Sequence, residues 1–131
     1  MALVIVLDAS VIIAFLDPAD AHHAAAVAAF RGLAGAQLVI PASVYAEILV
    51  RPYRSGPAAV ATVAQFIASL AIGVEPSSRE IARRAAQLRS QHTSLRLPDA
   101  LVLATADELN ATVILTADVA WTKISPRVQV I

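Results

Sequence analysis

Two hydrophobic patterns alternate along this chain. Residues 3–7 (Leu-Val-Ile-Val-Leu), 38–40 and 112–115 are branched runs without polar alternation, which predicts strands buried on both faces. Between them apolar positions recur at helical spacing. Helices are predicted over 11–16, over 22–31 with Gly32 and Gly35 ending it, and from a Ser43 cap through Glu47 to about Val50, broken at Pro52. Others are predicted over 57–71, closed by Gly73, through Ile81, Ala85 and Leu88 behind a Ser77 or Ser78 cap, and from Pro98 and Asp99 to Leu109. Residues 72–75 and 128–131 predict two more short strands. Strands alternating with helices pair in parallel through right-handed crossovers. The expected architecture is therefore a three-layer α/β/α fold with a short central parallel sheet, in one domain over 1–131.

Composition narrows the function classes. With 131 residues and 58% apolar content, the chain can bury a core and is not intrinsically disordered. Alanine supplies 29 of the residues, so that core is built from many small side chains. The absence of cysteine excludes a disulfide scaffold. Ten basic and ten acidic residues cancel, so any nucleic-acid contact must use a local patch. All the basic residues but Lys123 are arginine, whose fork suits phosphate. The apolar run 2–7 is too short for a secretory signal and has no basic residue before it. The uncharged stretch 57–73 approaches membrane-span length, but Thr62, Gln65, Ser69 and many alanines make it a buried helix. A cytoplasmic protein without membrane association is expected.

In open parallel sheets the reactive edge lies beyond the carboxyl ends of the strands. Asp8 directly follows the first predicted strand, and Asp118 follows the 112–115 strand after Thr116 and Ala117. Glu47 lies about two turns into the helix after the second strand, and Asp99 in the first turn of a later helix. Each has an ordinary explanation alone. Asp8 can cap a helix, Asp99 can favour a positive helix end, Asp118 can order a turn, and Glu47 can face solvent. Capping does not explain why four acids recur at such junctions in a chain only 15% charged. Converging carboxylates raise one another's pKa unless a cation neutralises them. Oxygen ligands suit Mg²⁺ or Mn²⁺, and the absence of cysteine argues against zinc. His22 and His23 diverge on a helix and His92 stands alone, so all three read as surface residues.

At these residues the sequence resembles the PIN-domain ribonucleases, most closely the VapC-type toxins of bacterial type II toxin–antitoxin systems. The matching motifs are Asp8-Ala9-Ser10, Pro41-Ala42-Ser43-Val44-Tyr45-Ala46-Glu47-Ile48, Leu97-Pro98-Asp99-Ala100-Leu101 and Thr116-Ala117-Asp118. Trp121 stands where that family more often has phenylalanine, a departure that concerns packing. The resemblance spans residues 3–121 and implies a PIN-like fold. It also implies a Mg²⁺- or Mn²⁺-dependent endoribonuclease acting on RNA, a cognate VapB-type antitoxin whose tail covers the acidic site, and a homodimer.

On this reading Asp8, Glu47, Asp99 and Asp118 are the catalytic acids. Asp8 and Asp99 are the direct metal ligands, because both stand at element starts that fix their direction. Asp118 and Glu47 act through water or complete a second metal position, while Ser10 and Thr116 orient the carboxylates. Arg51 and Arg54, one turn beyond Glu47, can reach phosphates or an antitoxin carboxylate. Arg79, Arg83, Arg84 and Arg89 read as a solvated face, with Arg96 the exception nearest the acids. The helix over 57–71 carries Val60, Val63, Ile67 and Leu70 as a core-packing stripe, and its remaining uncharged faces are a candidate dimer interface.

Two rivals are a phosphotransfer or receiver-like α/β domain and a non-catalytic binding module on the same fold. An aspartyl-nucleophile phosphatase wants a second Asp where Ser10 stands. Both phosphotransfer readings want a lysine near a late strand, whereas Lys123 lies past Asp118.

Overall fold

The computed structural model describes residues 3–131, so Ala2 of the leading apolar run lies outside them. In chain order the elements are β1 (Val4–Leu7), α1 (Ala9–Leu16), α2 (His23–Arg31), β2 (Gln37–Pro41), α3 (Ala42–Ser55) and α4 (Pro57–Ser69). They continue as β3 (Gly73–Glu75), α5 (Arg79–Gln91), α6 (Leu97–Glu108), β4 (Val113–Thr116), a 3₁₀ helix (Val119–Lys123) and β5 (Val128–Val130). All neighbouring strands pair in parallel, in the order β3-β2-β1-β4-β5. The predicted short central parallel sheet is therefore present, with helices flanking it.

Successive strand residues point to opposite faces. Ile5, Val6 and Leu7 of β1 and Ile114, Leu115 and Thr116 of β4 are nevertheless all buried, so both faces of the sheet centre are covered. That is why these strands read as unbroken apolar runs. The chain winds outward from β1 to β3, then returns to lay β4 against the other side of β1. A crevice at the carboxyl ends of β1 and β4 is the topological consequence, and it is where ligands of such sheets bind.

The structure departs from the expected elements in three places. Pro52 does not break α3, which runs on to Ser55. Proline forfeits only its own bond to the Ile48 carbonyl. The last turn is held instead by the Gly56 N–H on the Pro52 carbonyl and the Ser55 hydroxyl on the Arg51 carbonyl. Gly56 at φ 133° then makes the tight turn into α4 that a side chain would oppose. Ser43 does not cap α3. Pro41 holds that position, and the Ser43 hydroxyl is shielded from solvent without a hydrogen-bond partner. Finally, α4 stops at Ser69, where Ala71 at φ 51° turns the chain and Gly73 already belongs to β3.

Packing explains several side chains that the sequence pattern left loose. Phe15, Phe30 and Phe66 form one aromatic cluster joining α1, α2 and α4, with centroids 4.7 and 5.3 Å from Phe15. Asp107 on α6 receives Arg84 of α5 at 2.8 Å and Arg127 before β5 at 3.3 Å. Arg84 is thus a structural tie, while Arg79, Arg83 and Arg89 face solvent as expected. His23 is only half-exposed and its Nδ1 lies 2.8 Å from the Ala14 carbonyl, an anchor on α1 rather than a free surface group. Among the described residues no helix is long and apolar enough to cross a membrane.

Candidate active site

Parallel register places Leu7 opposite Leu115, so the residues that leave β1 and β4 emerge together. Asp8 is the first residue past β1, and its N–H donates to the Leu115 carbonyl at 2.9 Å. Its carboxylate is fixed from both oxygens. Oδ1 accepts the Ala9 N–H at 2.8 Å, capping α1, while Oδ2 accepts the hydroxyls of Ser10 at 2.7 Å and Thr116 at 2.9 Å. Each hydroxyl in turn accepts a backbone N–H from the turn after β4. Ala117 donates to Ser10 Oγ and Asp118 to Thr116 Oγ1, both at 3.1 Å. Two hydroxyls thus lock the Asp8 carboxylate to the backbone that carries Asp118. The capping explanation of Asp8 holds, and it coexists with this wider network.

The other acids reach the same edge through helices. Helices that lead out of or into parallel strands run antiparallel to them, so the N-termini of α3 and α6 lie at the carboxyl edge. Glu47 is in the second turn of α3 and exposed, and Asp99 is in the first turn of α6 and half-buried. The strand partner of the Asp99 helix, undefined in the sequence pattern, is β4, which α6 feeds directly. Asp118 is exposed and caps the 3₁₀ helix by accepting the Ala120 N–H at 2.9 Å.

Electrostatics ties the four acids together. Burial pushes the Asp8 carboxyl above its usual range, against the three hydrogen bonds that favour its charge, and the Asp118 charge pushes it further up. Glu47 is raised by burial and then by the charges of Asp8 and Asp99, with Arg96 opposing. Asp99 is raised by burial and by Asp8 and Asp118, against Arg96, whose Nε is 3.5 Å from its Oδ2. Acids from four separate segments therefore feel one another's charge.

The donor set at this edge is carboxylate and hydroxyl oxygen, which suits a hard divalent cation. As the side chains stand, no three His, Cys, Asp or Glu among the described residues are drawn together around a common metal position. Asp99 leans toward Arg96, the Asp118 carboxylate is held by the Ala120 N–H, and Glu47 is exposed. The donor chemistry fits such a cation, and holding one would require these side chains to reorient.

Two depressions flank the acids. A cleft of about 420 Å³ adjoins Asp99 and Asp118 and is lined by the α5–α6 loop and the 3₁₀ helix, including His92 and Lys123. A groove of about 360 Å³ adjoins Glu47 and is mostly aliphatic, with Ile13, Leu16, Ile48 and Val63, and Arg51 at its rim. Arg51 thus stands beside an acid as expected, whereas Arg54 lines neither depression. Sequence reasoning read His92 as a surface residue and weighed Lys123 only against the phosphotransfer rivals, whereas both line this cleft, Lys123 five residues beyond Asp118.

The family model described as PIN domain matches residues 5–125. No curated protein matches the chain. A toxin–antitoxin complex from Klebsiella pneumoniae superposes with a TM-score of 0.79 at 21% identity, covering 95% of this chain and 94% of that one. VapC20 of Mycobacterium tuberculosis, a sarcin–ricin loop cleaving toxin, gives 0.75 at 19% identity over 91% and 93%. VapBC2 from Rickettsia felis, bound to a DNA fragment from their promoter, gives 0.76 at 13% over 97% and 98%. At such identities these likenesses establish a shared fold.

Proposed function

The chain belongs to the PIN-domain family, and from that premise we propose that it is a divalent-metal-dependent endoribonuclease, the cytoplasmic toxin of a toxin–antitoxin pair. In this reading residues 1–131 form a single PIN domain that hydrolyses RNA phosphodiester bonds at Asp8, Glu47, Asp99 and Asp118. The observation that carries it is the doubly anchored Asp8 carboxylate at the β1–β4 crevice, within electrostatic reach of three further acids. A structural cap needs one hydrogen bond. Asp8 has three, and is held where its charge is disfavoured, which is the arrangement a metal ligand requires.

Asp8 and Asp99 hold the cation in this reading, because they are the less exposed pair and their elements set their direction. Mg²⁺ or Mn²⁺ bound there supplies a water of lowered pKa and positive charge against the scissile phosphate. Ser10 and Thr116 keep the Asp8 oxygens aimed, so that no reorientation is needed when substrate arrives. Glu47 and Asp118, more exposed, orient water or complete a second metal position.

The aliphatic groove beside Glu47 supports cover by an apolar segment of a VapB-type antitoxin, with Arg51 available to a carboxylate of that partner. The exposed face of α4 carries no charge and adjoins Tyr53, which is 68% exposed, and this supports a homodimer through that face.

Purified protein incubated with total RNA is expected to release discrete fragments in Mg²⁺ or Mn²⁺, and chelation with EDTA is expected to stop cleavage. RNA left intact in both metals, by a folded protein, contradicts the assignment.

A further inference from the structure

We propose that the cleft between the α5–α6 loop and the 3₁₀ helix is the subsite for a nucleotide flanking the scissile phosphate, with Lys123 as its phosphate contact. The inference rests on the ribonuclease reading of the acidic edge and adds to it the path of the RNA strand on one side.

Four carboxylates repel a polyanion, and a cation bound among them offsets this only at the reacting phosphate. A strand that crosses the edge needs a second positive contact on a neighbouring phosphate. Arg96, the arginine beside the acids, leans on Asp99, and Arg51 stands at the rim of the other depression, next to Glu47. Lys123 is exposed, lines the cleft and makes no ion pair among the described residues. Five residues of 3₁₀ geometry at about 2.0 Å each put it roughly 10 Å from Asp118. Its long side chain covers the remaining distance to a phosphate next along the strand.

The cleft itself suits a nucleotide. Its volume of about 420 Å³ falls in the range of small-ligand sites. Its lining includes Gln91, His92, Thr93 and Ser94, side chains able to hydrogen-bond a ribose 2′-hydroxyl or a base edge. Its walls are fixed from below by buried Leu95 and Trp121. The depression on the Glu47 side lacks this character, being mostly aliphatic.

The test is steady-state cleavage of a short single-stranded RNA in Mg²⁺ by Lys123→Glu, Lys123→Ala and Lys123→Arg. Arg79→Glu serves as control, at the far end of α5 about 18 Å from the cleft. Loss of a charged contact predicts a KM raised about tenfold or more in Lys123→Glu, with kcat little changed. Lys123→Arg and Arg79→Glu are expected to match wild type. In Lys123→Ala the logarithmic salt dependence of KM is expected to fall by about 0.7. An independent readout is amide chemical shift on titration with 5′-AMP, expected to move residues 91–95 and 120–124 in wild type and not in Lys123→Glu. Wild-type cleavage with an unchanged KM in Lys123→Glu overturns the subsite and leaves the ribonuclease reading intact. No cleavage by wild type, with those amides still shifting, overturns the ribonuclease reading and supports the cleft as a nucleotide site. No shift at those amides overturns the subsite.

Discussion

Asp8→Asn is expected to lower kcat/KM for RNA cleavage by at least about 100-fold, since losing even an outer partner of a metal ligand costs 10–100-fold. The substitution keeps the shape of the side chain and leaves an oxygen to accept the Ala9 N–H, so the cap on α1 survives. The hydroxyls of Ser10 and Thr116 have acceptor capacity left for the new amide. Activity therefore falls without unfolding. Stability moves the other way when divalent ions are absent. The Asp8 carboxyl lies above its ordinary 3.8 in the folded protein. A raised folded-state pKa contributes stability that is complete below the unfolded value and lost as pH rises through the folded one. At neutral pH the wild-type fold holds this disfavoured charge, and the neutral amide removes it. In EDTA the Tm of Asp8→Asn is expected to exceed that of wild type, by a margin that widens as pH rises from about 4 to about 7.5. Full activity in the variant, or a Tm difference independent of pH, contradicts the role given to this carboxylate.

Trp121→Ala is expected to destabilise the fold by about 3–5 kcal/mol, the usual cost of truncating a large buried aromatic. Trp121 is 2% exposed and among the largest fully buried side chains. Against a typical total of about 5–15 kcal/mol such a loss is severe, and it corresponds to a Tm lower by roughly 10–20 °C. The residue also anchors the segment that carries Asp118, whose carbonyl accepts the Trp121 N–H at 3.3 Å. Trp121→Phe keeps an aromatic ring in the core and is expected to lose much less. Thermal melts of the two variants check both values, and an alanine variant melting with wild type would deny Trp121 its place in the core.

How far the sequence revealed this molecule depended on how local each determinant is. The runs at β1 and β4 announce themselves because both faces of those strands are covered, so no polar residue interrupts them. The outer strand β3 is three residues long, with Val74 exposed, and gives only a faint signal. Pro52 and Ser43 misled because local rules favour a break and a cap, whereas tertiary packing carried α3 past the first and left the second unused. Asp8, Glu47, Asp99 and Asp118 were legible since each falls at a strand end or in an early turn of a helix. Their mutual charge and the Ser10–Asp8–Thr116 hydrogen bonds span more than a hundred residues of chain. Nothing in local spacing reports the Asp107 tie to Arg84 and Arg127, or the cleft around Lys123, because each is assembled from segments distant in sequence.

In the proposed reading, Asp8 and Asp99 at the β1–β4 crevice share a doubly charged cation. Anomalous scattering from a crystal of the wild-type protein soaked in Mn²⁺ tests it most directly. The expected map has a peak at roughly 2.1 Å from carboxylate oxygens of both Asp8 and Asp99. Manganese bound only elsewhere, for example beside Glu80 and Glu108 on the far face of α5 and α6, with the crevice empty, would contradict it.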